Sequence, residues 1–303
     1  MDDAEWLARR FEEHRSHLRA VAYRMLGSLA EADDAVQDTW ERVNRAGADD
    51  VENLGGWLTT IVARVCLNTL RSRNSRREES LGVVVPDPIV AAYGEVLPED
   101  EVLMADSVGL ALQVVLDTLS PAERLAFVLH DMFDLPFEQI GSITGRTVQA
   151  TRQLASRARR RVRGAQVPDA ERDLARQRAA VDAFFAAGRA GDFDALIAVL
   201  DPDVVLRADF SPGKPLRSTV IRGAQAVAKQ ARAGAQPGVE MIPALVNGTA
   251  GIVVLRQGRP FGVMAFTVRD EKIVEINSIG DPDRVERLAA SVLSAANGAN
   301  GPT

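Results

Sequence analysis

Apolar residues recur at helical spacing from Trp6 to about Arg163, broken once by a Pro- and acid-rich stretch, and give way after Pro168 to short alternating runs. Such a chain must fold as helical groups followed by a mixed domain, because a 3.6-residue stripe and a two-residue alternation present different faces to a core. Leu7, Phe11, Leu18, Val21, Ala22, Met25 and Leu26, then Ala35, Val36, Trp40 and Val43, describe two helices separated at Gly27-Ser28. Trp57, Leu58, Ile61, Val62, Val65, Leu67 and Leu70 supply the apolar side of a third, from about Leu54 to Arg73. Ser120-Pro121-Ala122-Glu123 is a capping box with Pro at the first helical position, opening a helix to about Met132. A helix over Leu135 to Ile143, a break at Thr144-Gly145-Arg146 and a helix from Val148 to Arg163 with Thr147 as N-cap form a helix-turn-helix.

Beyond Pro168 the pattern predicts helices at Leu174–Ala190 and Asp194–Leu200. Strands follow at Val204–Ala208, Thr219–Ile221, Met241–Val246, Gly251–Leu255, Phe261–Arg269 and Lys272–Ile279. The expected fold class is therefore multidomain, with two all-α domains, the second carrying the helix-turn-helix, followed by an α+β domain with a curved antiparallel sheet. The expected boundaries are 1–77, a flexible acidic linker over 78–100, 101–165, an α+β domain over 172–288 and a disordered tail over 289–303.

The net charge of −6 argues globally against a nucleic-acid partner, but partners feel charge only within a Debye length of roughly 8–10 Å. Residues 54–77 hold five arginines and no acid, residues 78–123 ten acids and no base, and residues 139–168 seven arginines and no acid. Two basic stripes are thus embedded in an acidic chain. No apolar run approaches the ~20 residues of a membrane span, and Met1-Asp2-Asp3-Ala4-Glu5 is unlike a signal peptide, so a cytoplasmic protein without membrane contact is expected. One cysteine, Cys66, and three histidines make neither a disulfide nor an ordinary zinc site, and no cofactor is expected.

Arg64, Asn68, Arg71 and Ser75 recur on one side of the third helix, opposite a stripe containing Ile61, Val62, Val65 and Leu70. That row suits phosphates or base edges, or is a solvated face; Trp57 stacks on a base or joins the core. In the 148–163 helix, Thr151, Leu154, Ala155, Ala158 and Val162 point inward and Gln149, Arg152, Gln153, Ser156 and Arg160 outward. Gln and Arg near its N-terminal end suit adenine and guanine edges. Arg159, Arg160 and Arg161 grip phosphate or complement their own helix terminus.

Asp33-Asp34-Ala35-Val36-Gln37-Asp38-Thr39-Trp40, Gly56-Trp57-Leu58-Thr59-Thr60-Ile61-Val62-Ala63-Arg64 and Arg152-Gln153-Leu154-Ala155-Ser156-Arg157-Ala158-Arg159-Arg160 resemble, in order and spacing, regions 2 and 4 of an extracytoplasmic-function (ECF) sigma factor. The resemblance implies that Asp34, Gln37, Asp38 and Trp40 face core RNA polymerase. It implies that Trp57, Arg64, Asn68 and Arg71 read and open the promoter −10 element. The −35 element would fall to Thr147, Gln149, Arg152, Gln153, Ser156, Arg157 and Arg160. Asn68 stands where many members carry an acid.

Residues 172–288 resemble a SnoaL-like domain, as in the SigJ-like group of ECF factors. Asp209-Phe210-Ser211-Pro212-Gly213-Lys214 and Asp281-Pro282-Asp283-Arg284-Val285 stand where that group carries characteristic motifs, altered at several positions. The resemblance implies modulation in cis, with Asp209, Lys214, Asp281, Asp283 and Arg284 contacting the sigma domains; Asp281-Pro282 also fits a helix start. Two alternatives from other classes are a stand-alone helix-turn-helix regulator and a fused SnoaL-like enzyme. Residues 169–303 contain no His, Cys, Tyr or Trp, so catalysis there would rest on Asp, Glu, Lys and Arg, and a non-enzyme is expected.

Overall fold

The computed structural model describes residues 3–47, 51–77, 85–94, 109–165, 173–210, 218–234 and 238–299. They divide into two compact units, one of residues 3–77 and 112–165 and one of residues 85–94, 109–111 and 173–299. No helix among them is long and apolar enough to cross a membrane.

The first unit is helical: α1 (Asp3–Leu26), α2 (Leu29–Ala46), α3 (Leu54–Arg77), α4 (Leu110–Leu116, its first two residues assigned to the second unit), α5 (Pro121–Phe127), α6 (Phe137–Thr144) and α7 (Val148–Gly164), with one π-helical turn at Val128–Met132. Leu18, Val21, Met25, Val36, Val43, Leu58 and Val62 are buried where α1, α2 and α3 meet. The last carbonyls of α1 have no partner within the helix, and side chains from elsewhere satisfy them. Arg124, 2% exposed, donates from Nε and Nη2 to the Arg24 carbonyl at 3.2 and 3.0 Å and pairs with Asp117. Gln113 Nε2 donates to the Tyr23 and Arg24 carbonyls at 3.4 Å. Arg73 Nη1 donates to the Leu26 carbonyl at 2.8 Å and pairs with Glu31. The Phe133 ring takes the Arg24 guanidinium at 5.4 Å on its face and the His17 ring edge-on at 5.4 Å. The two helical groups expected as separate domains are therefore one packed unit. Cys66 lies inside it, where burial pushes the thiol up to about 12 against the opposing charge of Arg124.

The second unit contains a seven-stranded sheet in the order β1-β4-β5-β6-β7-β2-β3, built from β1 (Val90–Ala92), β2 (Leu200–Asp209), β3 (Thr219–Arg222), β4 (Val239–Val246), β5 (Thr249–Arg256), β6 (Arg259–Arg269) and β7 (Lys272–Ile279). Every pairing is antiparallel except β2 with β7. One face packs Ile252, Phe266, Val268 and Ile276 against α8 (Leu174–Ala190), α9 (Phe193–Val199) and α10 (Ala224–Gly234). The other packs Val253, Val263, Ala265 and Ile279 against α11 (Pro282–Ala299). The α+β domain implied by the SnoaL-like resemblance is present, and its strands extend the expected ones by a few residues.

Two expectations are corrected, and one helix is added. The flexible linker over 78–100 does not hold for residues 85–94: Val85 and Val90 are buried in the α11-side core, and Val90, Ala91 and Ala92 pair with Val246, Leu245 and Ala244 at the sheet edge. The tail over 289–303 is helix to Ala299, because Val285, Ala289 and Val292 (i, i+4, i+7) bury one stripe on the sheet. Helix α10 was not anticipated; only Val227 and Ala228 of it are fully buried, too short a stripe to show as periodicity. The remainder of 78–100, and residues 101–108, lie outside the described residues.

Arg124→Met is expected to lower the unfolding free energy by about 3 kcal/mol, because it takes a buried guanidinium from the partly buried Asp117 carboxylate and two donors from the Arg24 carbonyl; urea denaturation measures it.

Candidate functional site

On α3, the Asn53 side chain accepts from the Gly56 amide at 2.9 Å and opens the helix. Trp57, Ile61, Arg64, Asn68 and Arg71 then follow one another along a single stripe, the first two half-buried and the last three exposed. Trp57 thus begins the donor row and is not enclosed, and Ile61, expected in the core, borders the same row. Arg73 stands apart from it, held by Leu26 and Glu31. The Ser75 side chain lies outside the described residues.

The helix-turn-helix is formed by α6 and α7. Gly145 ends α6 in the left-handed region at φ 69°. A Cβ on Gly141 would stand 2.8 Å from the Arg146 carbonyl, so only glycine permits this approach. Thr147 caps α7, its side chain accepting from the Ala150 amide at 3.2 Å. Thr151, Leu154, Ala155 and Ala158 are buried, while Thr147, Gln149, Arg152, Gln153, Ser156, Arg157 and Arg160 are all exposed. The arginine cluster divides by role. Arg159 pairs with Asp131 at 2.5 Å and Arg161 with Glu123 at 3.1 Å, fastening α7 to the preceding segment, whereas Arg152, Arg157 and Arg160 face outward. Burial raises the Glu123 pKa, but the hydroxyl and amide of Ser120 and the charges of Arg161 and Arg157 outweigh it and hold the carboxyl below its ordinary range.

Asp34, Gln37 and Asp38 are exposed on one stripe of α2, joined by exposed Glu41. Trp40 is not on that stripe; it is half-buried, its ring 5.1 Å from that of Phe11.

A second constellation lies in the α+β unit. Arg284, on the first turn of α11, donates from Nε to Asp87 at 2.6 Å, from Nη1 to Asp209 at 2.7 Å, and from Nη2 to the Val85 carbonyl. The Val85 amide donates to Asp209 at 2.9 Å. Burial disfavours the Arg284 charge, but the paired carboxylates outweigh it and raise its pKa further. The Asn247 side-chain oxygen accepts from the Ile89 amide at 2.7 Å and the Asn247 backbone N–H donates to the Ile89 carbonyl at 2.8 Å; Ser291 donates to the Val90 carbonyl at 2.8 Å. Of the residues expected here, Asp209 and Arg284 meet, Asp281 caps α11 by accepting from the Arg284 amide at 3.0 Å, Asp283 is exposed, and Lys214 lies outside the described residues. Asp87, Val85 and Asn247 were missed. A signal existed: Val83-Val84-Val85 and Ile89-Val90 are apolar runs that a solvated linker does not need. No group of three potential metal ligands occurs among the described residues.

Comparison with known proteins matches residues 10–76 to Sigma-70 region 2 and residues 109–162 to Sigma-70, region 4. The chain is 33% identical over 280 residues to the probable ECF RNA polymerase sigma factor SigI of Mycobacterium tuberculosis, covering 92% of this chain and 94% of that one. It is 35% identical over 287 residues to the ECF RNA polymerase sigma factor SigJ of the same organism, covering 90% and 91%. The crystal structure of M. tuberculosis SigJ superposes with a TM-score of 0.71 at 32% identity, covering 91% of this chain and 97% of that chain.

Because the folded-state pKa of Glu123 is lowered, its contribution is present above the ordinary carboxylate range and is lost as pH falls through the folded value. Ser120→Ala is expected to cost about 1 kcal/mol at neutral pH, and the difference from the native chain should shrink in acid; denaturation at several pH values checks this.

Proposed function

This chain belongs to the ECF RNA polymerase sigma factors, and from that premise we propose how its surfaces divide the work of directing core polymerase to promoters. The carrying observation is that two donor rows, Arg64-Asn68-Arg71 on α3 and Arg152-Arg157-Arg160 on α7, stand exposed on a chain of net charge −6. We assign the α3 row with Trp57 to the −10 element and the α7 row, with Thr147, Gln149, Gln153 and Ser156, to the −35 element. Arg152 and Gln153 reach base edges, and Arg160 meets phosphate. The Asp34-Gln37-Asp38 stripe docks on polymerase, with Trp40 shaping it from the Phe11 side. A stand-alone regulator would need the α7 row but not this stripe. The work takes place in the cytoplasm, with the polymerase.

The α+β domain acts in cis, without catalysis. Phe184, Phe185 and Phe266 fill the space between sheet and helices, with ring centroids 5.3, 5.7 and 6.0 Å apart, which supports a packed scaffold over a turnover site. Arg284 and Asp209 hold residues 85–92, and those residues lie in sequence between the two DNA-reading groups. Fixing them ties both flanking helical groups to the α+β domain through short stretches of chain, since free chain extends only about 3.5 Å per residue.

Asp38→Arg is expected to weaken retention on immobilised core polymerase with the fold intact by circular dichroism. Arg160→Ala should lower promoter affinity evenly across sequences and reduce the salt slope by about 0.9. Run-off transcription should differ between the full chain, its Arg284→Ala variant and residues 1–167; equal transcription by all three would remove the cis role.

A further inference from the structure

The π-helical turn before α6 has a consequence for recognition that the contact surface alone does not explain. After Val128–Met132 the chain reverses at Asp134, which takes φ 54°, and the Leu135 amide closes back on the Leu129 carbonyl at 2.8 Å. His130 lies within this turn. Here its Nδ1–H donates to the Leu135 carbonyl at 2.9 Å, which fixes the ring. The His130 ring lies against the Phe137 ring, centroids 3.8 Å apart and planes 32° from parallel. The Phe137 ring in turn carries the Arg152 guanidinium, 5.6 Å from its centroid. Arg152 is exposed and makes no ion pair among the described residues. Its neighbours Arg159 and Arg161 are instead tied down by carboxylates.

We propose that Phe137, seated on His130, is the positioning residue for Arg152, holding the guanidinium in its base-reading orientation before DNA arrives. The proposal rests on the assignment of Arg152 to a −35 base. An aromatic face suits this task better than a carboxylate. It restricts a long, flexible side chain without neutralising its charge, and leaves all five N–H donors free for the edge of a guanine. Bidentate reading depends on orientation, so loss of the ring should damage sequence discrimination and leave non-specific attraction to phosphate in place. Phe137 brings no charge of its own, so the salt slope should not move.

The test uses the full chain assembled with core polymerase, selecting duplexes from a library randomised across the −35 region. Arg152→Ala should erase preference at one position. Phe137→Leu should weaken preference at that same position by roughly two- to fivefold, the usual size of an exposed cation–π contact, with the salt slope unchanged; Phe137→Tyr, which keeps the ring, should restore it. Phe137→Met provides a second ring-free variant, with circular dichroism checking the fold of each. If Arg152→Ala alters no position, the assignment of Arg152 fails. If Arg152→Ala behaves as expected but the ring-free variants keep full preference, or lose affinity evenly at every position, the positioning role is overturned.

Discussion

The carbonyl groups at the C-terminal end of α1 hold the helical unit together. A helix end leaves acceptors that must find donors, and in this protein they come from distant parts of the chain: Arg73 on α3, Gln113 on α4 and Arg124 on α5. The positive charges also complement the negative end of the helix dipole. Arg124 is nearly inaccessible, so its bonds form in a low-dielectric setting where an unmet partner is costly. This one terminus makes region 2 and region 4 a single packed unit and leaves the outward rows of α3 and α7 unencumbered.

The α+β unit uses a guanidinium in a comparable way. Arg284 gathers two carboxylates and a carbonyl from segments far apart in sequence, Asp87, Asp209 and Val85. Close passage of the chain helps: a Cβ on Gly280 would run into the Phe210 ring, so a larger residue where β7 turns into α11 would have to displace that ring. The edge strand β1 is short, but its pairing is reinforced on both sides by Asn247 and Ser291. A segment that lies in sequence between region 2 and region 4 thereby becomes part of the C-terminal sheet.

One arginine-rich helix, α7, is divided into fastened and outward members. Asp131 and Glu123 immobilise Arg159 and Arg161, and the capping box that presents Glu123 is built by Ser120. Arg152, Arg157 and Arg160 remain outward.

Periodicity alone determined the helices that carry the outward rows, the helix-turn-helix with Thr147 as its cap, and the strands from β2 to β7, because these depend on local spacing and turn chemistry. The exposed positions on α2 and α7 were legible for the same reason: a helix face follows from residue number. Tertiary structure decided the rest. Whether Arg159 or Arg160 is free depends on which carboxylate lies within reach, and whether Trp40 points outward depends on Phe11 across the bundle. Residues 85–92 read as linker because prolines and acids dominate locally; their burial comes from β4 and α11, more than 140 residues away. A buried ion-paired aspartate looks the same in sequence as a solvated one, and only the fold brings Asp87 and Asp209 to one guanidinium.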